Sequence, residues 1–329
     1  MIRWGIISTA KIGREQVIPA IQQSSNGRVV AVGSRDADKA REFAAELGIE
    51  RAYGSYADLI ADPEIDAIYN PLPNDGHMPW TIGALKAGKH VLCEKPFAMN
   101  AAETVEMIAA AKEAGKHLME AFMWRYHPQH ARVKALVDAG EIGVPLTIHA
   151  QFTFALPWDN TSNVRLTPEM GGGGLLDVGG YCVTSTRYHA RQEPDRVSGF
   201  MTLGKNSGVD ENFVGILHYP NGMLAHFDCG MRGTFRNSYT IVGDQGTVTV
   251  RAAFRPDDNP GLIDLARVGQ PVETVSVPPA NQYILMVEDF ADAVLNNRPT
   301  LYSAEDGLQN MKLLDALKQS ALEGRAVEV

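Results

Sequence analysis

Through the first third of the chain, short apolar runs rich in β-branched residues alternate with segments whose apolar positions recur at helical spacing. The runs at residues 2–8, 28–32, 65–70 and 117–122 read as strands, and a further one leads from His90 into Lys95. Between them fall expected helices at 12–23, Ala37–Leu47, 77–87 and Ala101–Ala114. Val17, Ile18 and Ile21 mark the buried side of the first helix. Gly48, Gly88 and Gly115 stand where the other three would close in the left-handed conformation. Strands alternating with helices predict a parallel sheet wound on both faces, an α/β Rossmann-type domain over residues 1–122.

Beyond Trp124 the pattern changes. One helix at 128–139 precedes a long strand at 144–155, and the glycines from Gly171 to Gly174 open a segment that reaches His189. After Arg191 come strands separated by turn signals, Pro220-Asn221-Gly222 and Gly243-Asp244-Gln245-Gly246. Long strands joined by tight turns predict a mainly antiparallel open sheet, and two helices at 282–295 and 304–322 finish the chain. Residues 123–329 are therefore expected to form an α+β domain, with its sheet as the surface for oligomerisation. Phe213, Tyr219, Phe227 and Met231 are assigned to the outer face of its sheet. That is more apolar surface than a lone monomer usually exposes, so a homodimer or homotetramer joined through the sheet is expected.

Composition narrows the class of function. A chain of 329 residues favours two domains, and 45% hydrophobic with 21% charged residues is the balance of a soluble globular protein. A net charge of −9 argues against a nucleic-acid surface. Cys93, Cys182 and Cys229 form no C-x-x-C pair, which suits a reducing compartment. Met1-Ile2-Arg3-Trp4 runs straight into a strand, leaving no room for a signal peptide, and no apolar stretch is long enough to span a bilayer. A cytoplasmic protein with no nucleic-acid or membrane partner is expected.

Candidate chemistry gathers at the carboxyl ends of the first-domain strands, where open parallel sheets bind ligands. Ser8-Thr9-Ala10-Lys11-Ile12-Gly13 is a degenerate G-x-G-x-x-G in which Ser8 and Ala10 stand for glycines and only Gly13 remains. Small residues there still allow a tight turn and a pyrophosphate close to the helix N-terminus. The second strand ends in Gly33-Ser34-Arg35-Asp36. The Ser34 hydroxyl, the Arg35 guanidinium and, one turn on, Lys39 suit a phosphate, which favours NADP over NAD. Asp36 is either a ribose acceptor or, the expected role, the N-cap of the next helix. Asn70-Pro71-Leu72-Pro73-Asn74 forms a rigid loop. Its Pro71, Leu72 and Asn74 are counted among the cofactor contacts with His77, which is expected to satisfy backbone there.

Catalysis is assigned to Lys95, Asp177 and Tyr181. Asp177 and Tyr181 are spaced i, i+4 and share one helix face, and the preceding glycines let backbone approach a ligand. Oxidising an alcohol needs a proton acceptor as hydride leaves. A phenol of pKa about 10 serves only if a cation stabilises its phenolate. Lys95 can supply that charge and donate to the substrate oxygen, and Asp177 can orient it. Lys95 and Tyr181 are interchangeable as acid/base at this stage. Trp124 and Arg125 are expected to flank the nicotinamide or substrate. Arg165 is either a contact to substrate hydroxyls or a solvated loop arginine. His127 and His130 share a helix face without a third ligand, so no metal is expected.

The loop at 8–13, the loop at 70–74, Glu94-Lys95-Pro96 and Gly172-Gly173-Gly174-Leu175-Leu176-Asp177-Val178-Gly179-Gly180-Tyr181 together resemble one family. It is the glucose–fructose oxidoreductase / inositol dehydrogenase (GFO/IDH/MocA) family of NAD(P)-dependent oxidoreductases, and the resemblance covers essentially the whole chain. Many relatives carry His in place of Tyr181. The Tyr form resembles the branch holding dihydrodiol dehydrogenase, NADP-dependent D-xylose dehydrogenases and glucose–fructose oxidoreductase. The resemblance implies that Glu94 meets a cofactor ribose hydroxyl and that a cis bond precedes Pro96. It also implies hydride transfer between NADP(H) and a sugar or related polyhydroxy or carbonyl compound, such as oxidation of an aldose C1 hydroxyl. The alternatives are a dihydrodiol dehydrogenase, a dicarbonyl-sugar reductase, or a non-catalytic NADP- and sugar-binding regulator. A sensor, however, needs no proton acceptor.

Overall fold

The computed structural model describes residues 1–160 and 162–329. The chain divides into two compact units, Met1–Tyr126 with Asn281–Met311, and His127–Ala280 with Lys312–Val329.

In the first unit six strands alternate with five helices. The strands are β1 (Ile2–Ile7), β2 (Gly27–Gly33), β3 (Arg51–Tyr53), β4 (Ala67–Asn70), β5 (His90–Glu94) and β6 (Leu118–Ala121). Between them lie α1 (Ile18–Gln23), α2 (Ala37–Leu47), α3 (Tyr56–Ala61), α4 (His77–Lys86) and α5 (Ala101–Ala114), with a π-helical turn, Gly13–Val17, leading into α1. The strand order is β3-β2-β1-β4-β5-β6 and every pairing is parallel. Chain direction across the sheet reverses between β1 and β4, which places a crevice beyond their carboxyl ends. Strands covered on both faces read as continuous apolar runs, and Ile6, Ile7, Val32, Ile68 and Leu92 are fully buried.

Two elements here lie outside the sequence expectation. β3 has three half-buried residues and so shows no apolar pattern. α3 is a short helix whose start depends on Ser55 accepting a hydrogen bond from Asp58 N.

The second unit begins with α6 (Pro128–Asp138), β7 (Pro145–Ala155) and α7 (Gly180–Ala190). Then follow β8 (Arg196–Leu203), β9 (Asp210–His218), β10 (Leu224–Gly230), β11 (Arg232–Gly243), β12 (Gly246–Val250), β13 (Gly261–Arg267) and β14 (Glu273–Val277). With the C-terminal β15 (Val327–Glu328) they build a nine-stranded sheet, β14-β13-β12-β11-β7-β10-β9-β8-β15. Only the β7–β10 pairing is parallel. The two expected tight turns join β9 to β10 and β11 to β12.

Phe213, Tyr219, Phe227 and Met231 do not lie on the outer face; all four are buried. Strand side chains alternate with period two, so an error of one position exchanges the faces. The Phe213 and Phe227 rings stack at 6.0 Å, and they occupy the space left by Gly199 and Gly215 beside Leu317. Outward point Phe200, Val214, Ile216 and Leu224 instead.

The closing helices are α8 (Gln282–Asn296) and α9 (Ala304–Glu323). α8 belongs to the first unit, although it follows the second in sequence. Its Phe290 ring packs 5.3 Å from Trp4, and Glu288 accepts from both the amide and the hydroxyl of Ser25 at 2.8 Å.

Candidate functional site

A cavity of about 370 Å³ opens in the first unit at the carboxyl ends of β1, β2 and β4. Ser8, Thr9, Ala10, Ser34, Arg35, Lys39, Pro71 and Leu72, singled out from sequence, line it, joined by Asp36, Tyr56 and Pro73. Ser8 has φ 70, the left-handed region that glycine adopts freely and that costs a side-chain-bearing residue about 1–2 kcal/mol. Its buried hydroxyl finds no hydrogen-bond partner among the described residues. A strained residue with an orphaned donor beside a cavity marks a place where a ligand atom fits.

At the end of β2, Asp36 acts as the helix cap. Its carboxylate accepts from the amides of Asp38 (3.0 Å) and Lys39 (3.2 Å). Ser34 is buried and its Oγ accepts from Asp36 N at 3.2 Å, so its proton remains available to donate. Arg35 and Lys39 are exposed at the cavity mouth, with Lys39 Nζ 3.8 Å from Asp36. Lys11 points elsewhere, 3.6 Å from Glu15, and Ile12 and Gly13 form the start of the helix.

The 70–77 loop is held from beneath. Asn70 Nδ2 donates to His77 O and Thr81 Oγ1, both at 3.2 Å, while Leu72 N donates to Asn70 Oδ1. Asn74 begins a short 3-10 turn, Asn74–Gly76. His77 is fully buried, with Nδ1 2.8 Å from Pro96 O and Nε2 2.8 Å from Leu72 O. It ties the cavity loop to the segment after β5, the backbone role expected of it, and burial lowers its pKa.

The Lys95–Pro96 bond is cis, as the resemblance implied. Glu94 is buried; Tyr69 Oη donates to its Oε1 at 2.7 Å and Lys95 N to its Oε2 at 3.3 Å. Burial raises the Glu94 pKa, and the Tyr69 bond and the Lys95 charge oppose that. Trp124 is fully buried and meets Phe122 edge-on. Arg125 is buried, paired with Asp306 and stacked 3.9 Å over Tyr302.

In the second unit three of the expected residues come together. Asp177 lies in a π-helical turn, Leu175–Gly179, that runs directly into α7, where Tyr181 is the second residue. Such turns widen a helix locally and are frequent at functional sites. Arg165 Nε donates to Asp177 Oδ2 at 2.6 Å. The Asp177 charge holds the Arg165 guanidinium above its ordinary pKa, burial opposes this, and the Tyr181 phenol adds to it. Tyr181 is buried between Phe152 (ring centroids 5.1 Å) and Phe254 (5.4 Å). Arg165 is thus paired with Asp177, with its side chain 40% exposed.

The glycine run approaches protein at this turn. A Cβ on Gly172 would lie 2.5 Å from Arg165 O, and one on Gly173 would collide with Asp210. Asp210, not foreseen from sequence, accepts from Leu175 N at 2.6 Å, and burial pushes its carboxyl up to about 6. Gly173→Ala is expected to destabilise the protein by about 1–3 kcal/mol, because φ there is 122 and the Asp210 cap must move. An unchanged calorimetric melting temperature would show that the cap yields freely.

A larger cavity, about 670 Å³, also lies in the second unit, beside Phe235, Arg236, Arg251 and Arg255. None of the expected site residues lines it, and its arginines are engaged by Asp228, Asp264 and Asp257.

Comparison with known proteins agrees with both halves. Residues 2–122 match the GFO/IDH/MocA oxidoreductase family with its NAD-binding Rossmann fold, and residues 130–249 match a GFO/IDH/MocA C-terminal domain. D-xylose 1-dehydrogenase (NADP(+)) 2 of Haloferax volcanii is 38% identical, with 99% of each chain covered. The chain belongs to the GFO/IDH/MocA family. A second GFO/IDH/MocA relative, trans-1,2-dihydrobenzene-1,2-diol dehydrogenase of Mus musculus, is 35% identical over 78% of this chain and 77% of its own. Among solved structures, a 3-ketoreductase from Actinomadura kijaniata in complex with NADP and TDP-benzene superposes with a TM-score of 0.92. It is 30% identical and 97% of each chain is covered. Within this GFO/IDH/MocA chain, sequence reading missed Tyr56, Tyr69 and Asp210. Of these only Tyr69 carried a signal, a hydroxyl on the strand neighbouring Glu94.

Proposed function

We propose that this oxidoreductase transfers hydride between NADP(H) and a sugar or related polyhydroxy or carbonyl compound, with oxidation of an aldose C1 hydroxyl as the leading reaction. The observation that carries it is the end of β2, where Ser34, Arg35 and Asp36 line the cavity and Asp36 Oδ1 accepts from both cap amides. The orphaned Ser8 hydroxyl and the exposed Arg35 and Lys39 fit a phosphorylated dinucleotide. Bound there, NADP would supply the hydride acceptor or donor. The D-xylose dehydrogenase and the NADP-bound ketoreductase among the relatives support the same cofactor and a sugar-related substrate.

For catalysis we assign Tyr181 Oη as the atom that takes the hydroxyl proton, with Lys95 as cation and donor to the substrate oxygen. Asp177 positions Arg165 beside the phenol, so a second cation favours the phenolate. We assign cofactor binding to the first unit and substrate binding to the second. Carbonyl reduction is the second direction to test, since one relative is a 3-ketoreductase. A panel of sugars with NADP, followed by absorbance of the reduced cofactor, tests the activity. Saturable NADP binding without turnover on any sugar would favour a regulator.

The same proposal includes a cytoplasmic homo-oligomer. Cys93, Cys182 and Cys229 are buried free thiols, which suits a reducing compartment. Among the described residues no helix is long and apolar enough to cross a membrane. The outer sheet face exposes Phe200, Val214, Ile216 and Leu224, and covering that face with a second copy would remove them from water. Ile216→Lys is therefore expected to shift the protein toward monomer in sedimentation velocity while leaving the fold intact. A wild type that sediments as monomer at micromolar concentration would count against the interface.

A further inference from the structure

Glu120, on β6, is a buried acid to which the catalytic assignment gives no task. It pairs in register with Cys93 of β5, so the two side chains share a face of the sheet, just short of Lys95. It is 3% exposed, and neither carboxyl oxygen finds a hydrogen-bond partner among the described residues. Phe97 and the first turn of α9 cover it. A Cβ added to Gly307 would lie 2.8 Å from the Phe97 ring and 3.3 Å from Glu120 Oε2.

The surrounding groups are charged but otherwise engaged. Arg125 pairs with Asp306 and stacks on Tyr302, and Glu94 accepts from Tyr69. A buried carboxylate with no donor is costly, whereas the protonated acid is tolerated there.

We propose that Glu120 is a positioning residue for Lys95, a carboxyl that gains and loses one proton to bulk water and so sets the field in which the Lys95 ammonium works. The inference rests on the assignment of Lys95 to the reaction. Burial is the main influence on Glu120 and raises its pKa to about 7. The charges of Arg125 and Lys95 oppose the rise, and those of Asp306 and Glu94 add to it. The Cys93 thiol facing it is itself pushed up by burial, so it stays neutral. Above neutrality the Glu120 anion attracts and orients the Lys95 ammonium; below, that attraction is withdrawn.

The sign for stability is opposite. An acid whose pKa is raised by folding contributes stability below the ordinary carboxyl range and loses it as pH rises through about 7. Glu120→Gln mimics the protonated acid at every pH. Wild-type kcat/KM for alcohol oxidation should therefore rise through an inflection near neutrality. Glu120→Gln should lack that inflection and stay at the low-pH level, and Glu120→Asp should retain an inflection. Independently of activity, the melting-temperature advantage of Glu120→Gln over wild type should grow between about pH 5 and about pH 8.

A near-neutral inflection that persists unchanged in Glu120→Gln, or a melting difference that does not vary with pH, overturns the proposal. Lys95→Ala is assayed alongside. Turnover that survives there sinks the assignment of Lys95, whereas turnover lost there with an unchanged Glu120→Gln profile sinks only the role of Glu120.

Discussion

Tyr181→Phe is expected to lower turnover by about 10²–10⁴ while leaving NADP affinity nearly intact, because on the proposed assignment it removes the atom that takes the hydroxyl proton. Tyr181 sits between the Phe152 and Phe254 rings, so a phenyl ring of the same shape preserves the packing. What disappears is the oxygen beside the Arg165–Asp177 pair. A phenol of ordinary pKa about 10 is almost wholly protonated at neutral pH, so its usefulness as a base depends on cations nearby. Arg165 is one within the same unit, and Lys95 is assigned as the other. Lys95→Ala should do at least as much harm, since charge stabilisation of a developing oxyanion is lost with it. The measurement is kcat for both variants beside NADP binding by fluorescence titration. Should Tyr181→Phe keep more than half of wild-type turnover, the proton passes elsewhere and Lys95 becomes the candidate acid/base.

What sequence could reveal followed from how local each signal is. α2 and α5 were legible to the residue because Gly48 and Gly115 close them in the left-handed conformation and Asp36 caps the start of α2, all signals local to the helix. The parallel sheet was legible because its strands are covered on both faces. Which face of the antiparallel sheet holds Phe213 and Phe227 was not, since the glycines that admit those rings are recognisable only once strands are paired. Arg165 and Asp177 were each singled out, but their pairing needs the turn that returns Arg165 O to Gly173 N. Asp210 caps a helix 35 residues earlier in the chain, and Glu120 matters through what it lacks. Neither property is written in local pattern.

Cofactor choice should turn on Ser34 and Arg35. A guanidinium–phosphate contact is charge-assisted and often bidentate, hence stronger than a neutral hydrogen bond. Hydrogen bonds to charged groups contribute about 1.5–3 kcal/mol net, roughly 10- to 150-fold in affinity. Arg35→Ala is therefore expected to weaken NADP within that range and to leave NAD nearly unchanged. Ser34→Asp should act more strongly: it sets a like charge against the 2′-phosphate while offering NAD a ribose acceptor. The ratio of kcat/KM for the two cofactors, in wild type and both variants, is the measurement. Asp36 is the residue able to defeat the expectation, since a carboxylate at the end of β2 is the usual ribose ligand. Its carboxylate, however, already accepts from the amides of Asp38 and Lys39 and lies 3.8 Å from Lys39 Nζ. Both amides use Oδ1, so a ribose hydroxyl on Oδ2 would compete with Lys39, and one on Oδ1 would uncap the amides at a cost of about 0.5–2 kcal/mol. A wild type that prefers NAD, or an Arg35→Ala variant impaired equally with both cofactors, would mean that Asp36 accepts that cost and Arg35 is only a surface charge.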